Sequence, residues 1–285
     1  MHFMNYRVYN KDIKEHEILD YSCDGNIIRF YLGKNGNQWG DDWNDPIDSA
    51  GIVYEKYVGA MVDMYVPYDY AVLNPRGVSY NYYSSYSKEQ MLHRCFPCVV
   101  IVPPEMIEHY YDLTFDKCQG CASAMKFYCG DDLSRYCEQA FPGTDKPMFD
   151  LETLTAADIG NREIIDVRCK GNVVHFYLGK NGTQTGEDWD HADYDEYAGL
   201  VRDEYIQATV DMYAPFGSYV LEPSDEWNQY GYGCGYTKND MVKREVPCLI
   251  YVPHEVLINS DCSYEFKNFV DNPNVRKFYF GDCLN

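Results

Sequence analysis

The chain has 285 residues, 46% of them hydrophobic, with 45 acidic against 24 basic side chains and a formal net charge of −21. No run of 18 apolar residues is long enough to cross a bilayer as a helix, and the first residues lack the apolar segment of a secretory signal, so a soluble cytoplasmic protein with no membrane partner is expected. The acidic excess is spread along the chain, 21 against 12 in residues 1–145 and 24 against 12 in the remainder. Such a surface repels phosphate backbones, which argues against direct nucleic-acid binding and for a partner with a basic face.

In chain order, residues 3–9 read as a short strand. Residues 18–23 and 26–32 form a hairpin about Asp24-Gly25, with Ile28, Phe30 and Leu32 on one face. A polar loop, 33–48, carries Gly40-Asp41-Asp42-Trp43. A strand over 58–66 follows, ended by Pro67. The stretch 79–86 is rich in tyrosine, serine and asparagine. Ser87 is the N-cap candidate of a helix over 88–94, with Gln90 three positions on, and Pro97 is expected to stop it. A fully apolar strand, 98–102, a helical turn over 104–111 and a closing strand, 126–129, complete the set.

The same series then returns. Phe30-Tyr31-Leu32-Gly33-Lys34-Asn35-Gly36 is repeated unchanged as Phe176-Tyr177-Leu178-Gly179-Lys180-Asn181-Gly182. Val62-Asp63-Met64-Tyr65 reappears as Val210-Asp211-Met212-Tyr213, and Arg94, Pro97 and Cys98 match Arg244, Pro247 and Cys248. Phe127-Tyr128 with Gly130-Asp131 matches Phe278-Tyr279 with Gly281-Asp282, and the spacing grows only from 146 to 151 residues along the chain. A fixed-distance echo of this length marks an internal duplication, and two copies are too few for a solenoid. Strands are therefore expected at 164–169, 172–178, 206–214, 248–252 and 277–280, with helices at 238–244, capped by Thr237, and at 254–258. The expected fold is α+β: two similar strand-rich domains from an internal tandem duplication. Each is read as a mainly antiparallel sheet with one or two short helices. The first domain spans 1–133, with its core at 14–133, a linker occupies 134–162, and the second domain spans 163–285.

Three sets of residues are candidates for function. The loops around Asp41 and Asp42, and around Glu187 and Asp188 beside Trp189, could hold a hard cation or a sugar. Their spacing fits no EF-hand, and aspartates bonding backbone amides in turns is the plainer reading. Cys95-x-x-Cys98 with Cys118-x-x-Cys121 approaches the spacing of a zinc ribbon. The second copy puts Glu245 opposite Cys95 and has no CxxC pair opposite Cys118 and Cys121. Free structural thiols are thus expected, with no metal and no cofactor. Twelve cysteines in an intracellular chain are expected to stay reduced. No GxSxG, HExxH, P-loop or GxGxxG motif points to an enzyme.

The third set is the aromatic loop of each copy. Tyr80, Tyr82, Tyr83 and Tyr86 lie among Ser and Asn in one; Trp227, Tyr230 and Tyr232 lie among Gly and Asn in the other. Rigid amphipathic rings among small polar groups have the composition of a protein-binding paratope, and these seven residues, with Asp41, Asp42 and Asp188, are the partner-binding candidates.

The pattern Phe30-Tyr31-Leu32-Gly33, Gly40-Asp41-Asp42-Trp43-Asn44-Asp45, Ala50-Gly51, Tyr86-Ser87-Lys88 and Pro97-Cys98, carried by both copies, resembles small acidic proteins of unknown function from bacteriophages and mobile elements. The resemblance supplies no catalytic residues. It implies a phage-encoded inhibitor in the host bacterial cytoplasm that binds and disables an anti-phage defence complex. Nuclease systems such as Gabija are among the targets it implies, and DNA mimicry is one mode within the class. The sequence leaves open the identity of the partner and whether the chain forms homo-oligomers.

Overall fold

The structure, a computed structural model, describes residues 16–34, 58–75, 90–91, 93–107, 113–136, 148–150, 162–179, 206–223, 241 and 243–284. The expected strand at 3–9 and the loops at 33–48 and 79–86 lie outside these, apart from Gly33 and Lys34. So do most of the corresponding loops of the second copy. The chain divides into two compact units, Met1–Thr144 and Asp145–Asn285.

In the first unit, β1 (Ile18–Asp24), β2 (Ile27–Gly33) and β3 (Val58–Tyr65) form an antiparallel sheet in the order β1-β2-β3. Gly25 and Asn26 make the hairpin turn, one residue later than Asp24-Gly25. Glycine supplies the positive φ of 54°. Asn26 is thereby freed from the strand to act as a staple. Its side-chain amide donates to the carbonyls of Pro67 and Tyr70, both at 2.9 Å, and ties the hairpin to the turn that leaves β3.

A second antiparallel sheet follows, β4 (Ala71–Leu73), β5 (Val99–Val102) and β6 (Met125–Phe127), with β5 in the middle. All four residues of β5 are buried because both of its faces are covered. Val99 and Ile101 join Ile28, Phe30, Leu32, Val62 and Met64 of the first sheet. Val100 and Val102 pack with Phe115 and Cys118 of the one-turn helix Phe115–Cys118. The unit is therefore layered as sheet, sheet and short helices. Phe30 and Phe127, both fully buried, meet across the two sheets with ring centroids 5.1 Å apart. The sheets are also stitched by backbone: Ile18 N–H donates to the Asp131 carbonyl and Gly130 N–H to that of Ile18, both at 2.9 Å.

The second unit has the same strand order and the same layers. β8 (Ile164–Lys170), β9 (Val173–Leu178) and β10 (Ala208–Tyr213) form one sheet; β11 (Tyr219–Leu221), β12 (Leu249–Val252) and β13 (Arg276–Phe278) form the other. Phe176 faces Phe278 at 5.4 Å. Asn172 repeats the staple, donating to the carbonyls of Ser218 and Pro215. Even the register shift near the start of β1, between Ile18 and Asp20, recurs in β8 between Ile164 and Asp166. One addition is β7 (Met148–Asp150), which pairs parallel with β10 and extends that sheet to four strands.

Strand-rich units with a few short helices agree with the α+β reading, but each unit contains two small sheets instead of one. Among the described residues, the segment read as a linker contains β7 and part of a 3-10 turn, Leu133–Tyr136. The helices Phe115–Cys118 and Phe266–Phe269 were not legible in the sequence pattern. No helix among the described residues is long and apolar enough to cross a membrane.

Candidate functional site

Tyr80, Tyr82, Tyr83, Tyr86, Trp227, Tyr230, Tyr232, Asp41, Asp42 and Asp188 lie outside the described residues. What the structure describes is the framework on either side of the aromatic loops. Upstream stand the edge strands β4 and β11. Downstream the two units share a closure that sequence reasoning missed.

That closure is built on an arginine. Arg94 and Arg244 have φ of 57° and 64° and are the non-glycine residues with positive φ among the described residues. In the first unit Arg94 N–H donates to the Met91 carbonyl and Cys95 N–H to that of Gln90, both at 3.0 Å. These are the paired bonds of a helix end closed by a left-handed residue. The helical stretch thus ends at Arg94, the expected last residue, and the left-handed turn there closes it before Pro97 is reached. Arg244 N–H makes the corresponding bond to Met241 at 2.9 Å.

A left-handed conformation costs a residue with a Cβ about 1 kcal/mol or more, so glycine is the usual occupant. The arginine side chain offers a reason for its presence. Its NH1 lies 2.7 Å from Oδ1 of Asp131, a carboxylate only 2% exposed, and its guanidinium sits over the Tyr128 ring at 5.1 Å. Arg244 ion-pairs with Asp282 and lies over Tyr279 at 5.8 Å. Both aspartates follow a glycine of positive φ, Gly130 and Gly281, which turns the chain out of β6 or β13. In the first unit Arg135 stands 3.5 Å from Asp131, and the Tyr136 hydroxyl is 3.0 Å from its Oδ2. Burial, followed by the nearby Asp131 charge, raises the Tyr136 pKa well above its ordinary value. The signal was present in the sequence as Arg94/Arg244 and Gly130-Asp131/Gly281-Asp282, matched letters whose partnership only the fold reveals.

A second pair spans the first sheet of each unit. Arg29 and Asp63, facing each other on β2 and β3, make a bidentate pair at 2.7 and 2.8 Å. Burial lowers the Arg29 pKa, but the bond and charge of Asp63 outweigh it and the net shift is upward. At the same register in the second unit stand His175 and Asp211, with Nδ1 of the imidazole against Oδ1 of the carboxylate and Tyr177 edge-on to the ring at 4.7 Å. Because an arginine–aspartate pair stands at the same register in the first unit, the histidine–aspartate contact reads as a cross-strand hydrogen-bonding position.

The four cysteines with zinc-ribbon spacing do not converge. Cys95 is exposed in the turn after Arg94, Cys98 is buried between the two sheets, and buried Cys118, with half-buried Cys121 in the same cluster, lies on the opposite side of β5. Among the described residues no three His, Cys, Asp or Glu side chains are placed to hold a metal ion. Burial pushes the Cys98 thiol well above its usual range, helped by its hydrogen bond with Cys129. Burial does the same to Cys248, with Asp166 adding to it.

Fold and framework define a class, an acidic strand-rich protein of two layered units with matching arginine closures. No protein family, curated protein or solved structure matches the chain.

Proposed function

We propose that the chain is a non-enzymatic acidic protein-binding module made of two tandem copies of one unit, derived by internal duplication. Each copy presents an aromatic loop from a double-sheet scaffold. The observation that carries this reading is the shared closure: in both units the chain emerging from the aromatic stretch is held by an arginine in an unfavourable backbone conformation, paired to an aspartate. Holding a loop's end lowers the entropy lost when its rings engage a partner. The net charge of −21 favours a basic partner surface and accelerates encounter. In its setting the protein is a phage-encoded inhibitor of a bacterial anti-phage defence complex. Nuclease systems such as Gabija, approached by DNA mimicry, belong to the class of targets. The test is capture of a partner from bacterial lysate, repeated with Tyr82→Ala/Tyr83→Ala and Trp227→Ala/Tyr230→Ala. The partner should be lost with the rings. Retention by both variants, or specific heat with Ca²⁺, Mg²⁺ or a glycan in calorimetry, would count against the proposal.

A further inference from the structure

The second unit carries an exposed aromatic pair that has no counterpart in the first. Tyr219, on edge strand β11, and Tyr264, just before the helix Phe266–Phe269, are 36% and 48% exposed. Their ring centroids are 4.8 Å apart and the planes are tilted by 51°, so the rings are not stacked face to face. The corresponding positions in the first unit are Ala71, which is buried, and Leu113, which is half-buried among aliphatics. Where the first unit has a buried alanine and a half-buried leucine, the second thus has two partly exposed tyrosines. Packing alone does not call for that exchange, since covering these positions is what the first unit does.

The segment that carries Tyr264 is ordered by its own polar bonds. Asn259 Nδ2 donates to the Glu255 carbonyl at 2.6 Å, and Asn268 Nδ2 donates to the carbonyl and hydroxyl oxygens of Ser263 at 2.9 and 3.1 Å. Glu265 N–H donates to the Ser263 carbonyl at 2.8 Å. On the β11 side, His254 Nδ1 lies 2.9 Å from the Gly217 carbonyl, and its ring fills the space where a Cβ on Gly217 would stand. The segment is acidic. Glu255, Asp261 and Asp271 are exposed on the same segment, while Lys267 is already paired with Glu265 at 2.6 Å. An exposed aromatic pair on a segment that also bears exposed carboxylates matches one chemistry, a cation on a flexible stem, which a ring quadrupole and carboxylates both attract.

We propose that the Tyr219–Tyr264 pair is a docking surface for an arginine- or lysine-rich segment of a protein partner. It rests on the protein-binding reading only for the nature of the occupant. Its test needs no knowledge of the natural partner. An octa-arginine peptide and an acidic peptide of equal length are titrated into the full chain at physiological salt. The variants Tyr264→Ala, Tyr264→Phe, Tyr219→Ala and Tyr82→Ala/Tyr83→Ala are run in parallel. Octa-arginine should bind, with affinity about fivefold to tenfold lower in either alanine variant and retained in Tyr264→Phe. Because both rings are exposed, melting temperatures should stay close to the parent's. Loss of the peptide in Tyr82→Ala/Tyr83→Ala but not in Tyr264→Ala would place the cation site on the aromatic loops and overturn this proposal, whereas retention of the captured partner by Tyr82→Ala/Tyr83→Ala bears on the loop reading alone. Equal binding by parent and Tyr264→Ala would show only diffuse attraction to an acidic surface and overturn the proposal. So would no binding at all, or a parent dimer that Tyr264→Ala dissociates, which would make a second copy the occupant.

Discussion

Arg94 reaches the buried carboxylate of Asp131 from a left-handed backbone conformation, and Arg244 reaches Asp282 in the same way. Asp131 is also where the two sheets of the first unit join, because its carbonyl accepts from Ile18 at the start of β1. One residue therefore links the first sheet, the exit of the second and the end of the aromatic stretch. The two costs at Arg94 can be separated by substitution. Arg94→Ala keeps the strain and loses the ion pair, costing about 1–3 kcal/mol. Arg94→Gly loses the same pair but relieves the backbone, and should be about 1 kcal/mol more stable than the alanine variant. Chemical denaturation of both variants decides it. Helix propensity alone gives the opposite order, alanine above glycine.

The cross-strand pair Arg29–Asp63 should behave as a coupled unit. Arg29→Met leaves a carboxylate only 10% exposed without its guanidinium and should cost about 2–4 kcal/mol. Replacing both, Arg29→Met with Asp63→Leu, should recover most of that loss, since two apolar side chains need no partner. A double variant that is less stable than the sum of the singles, measured by urea unfolding, speaks against this.

Thiol reactivity should follow burial. Cys95, Cys262 and Cys283 are exposed and should label within the first minutes of treatment with a thiol reagent at neutral pH. Cys98 and Cys248 are buried and poor in thiolate, and should label only as the protein opens. Mass spectrometry of the early products reads the order directly, and early modification of Cys98 would place it outside the core.

Alkaline pH should weaken the fold. Burial raises the Tyr70 phenol to about 12, with Asp69 and Glu105 contributing, and it raises the Cys98 and Cys248 thiols. A folded-state pKa above the unfolded one means that stability is fully present below the unfolded value and is lost as pH climbs through the folded one. The loss should begin near pH 9 to 10, the ordinary thiol and phenol values, and continue to about 12 for Tyr70. Tyr70→Phe should lessen the decline and remove one late ionisation from an ultraviolet titration. An unchanged late ionisation in that variant would assign it to another tyrosine.

The hairpins were legible because alternation of Ile28, Phe30 and Leu32 survives in the buried face of β2. The apolar run of β5 was legible as a strand. Which sheet it joins was not, since a strand covered on both sides loses the period that distinguishes its faces. Asn26 looked like strand and is a staple because its amide serves two carbonyls more than forty residues away. β7 is three residues long and is specified by pairing with β10, a contact that no local pattern encodes. Helices of one turn, such as Phe115–Cys118, are too short for any helical period to show. The aromatic and acidic candidates were readable as composition, while the arginine closure beside them required two distant positions to be brought together.

In the proposed function the aromatic loops engage the protein partner, and the layered sheets carry those loops. Binding kinetics of a captured partner, measured beside melting curves for the parent and for Tyr82→Ala/Tyr83→Ala, test it most directly. Melting should stay close to the parent's and dissociation should be at least about tenfold faster, with association little changed, because truncating interface anchors acts mainly on the lifetime of a complex. Variants that melt well below the parent and yet bind normally when folded would contradict it.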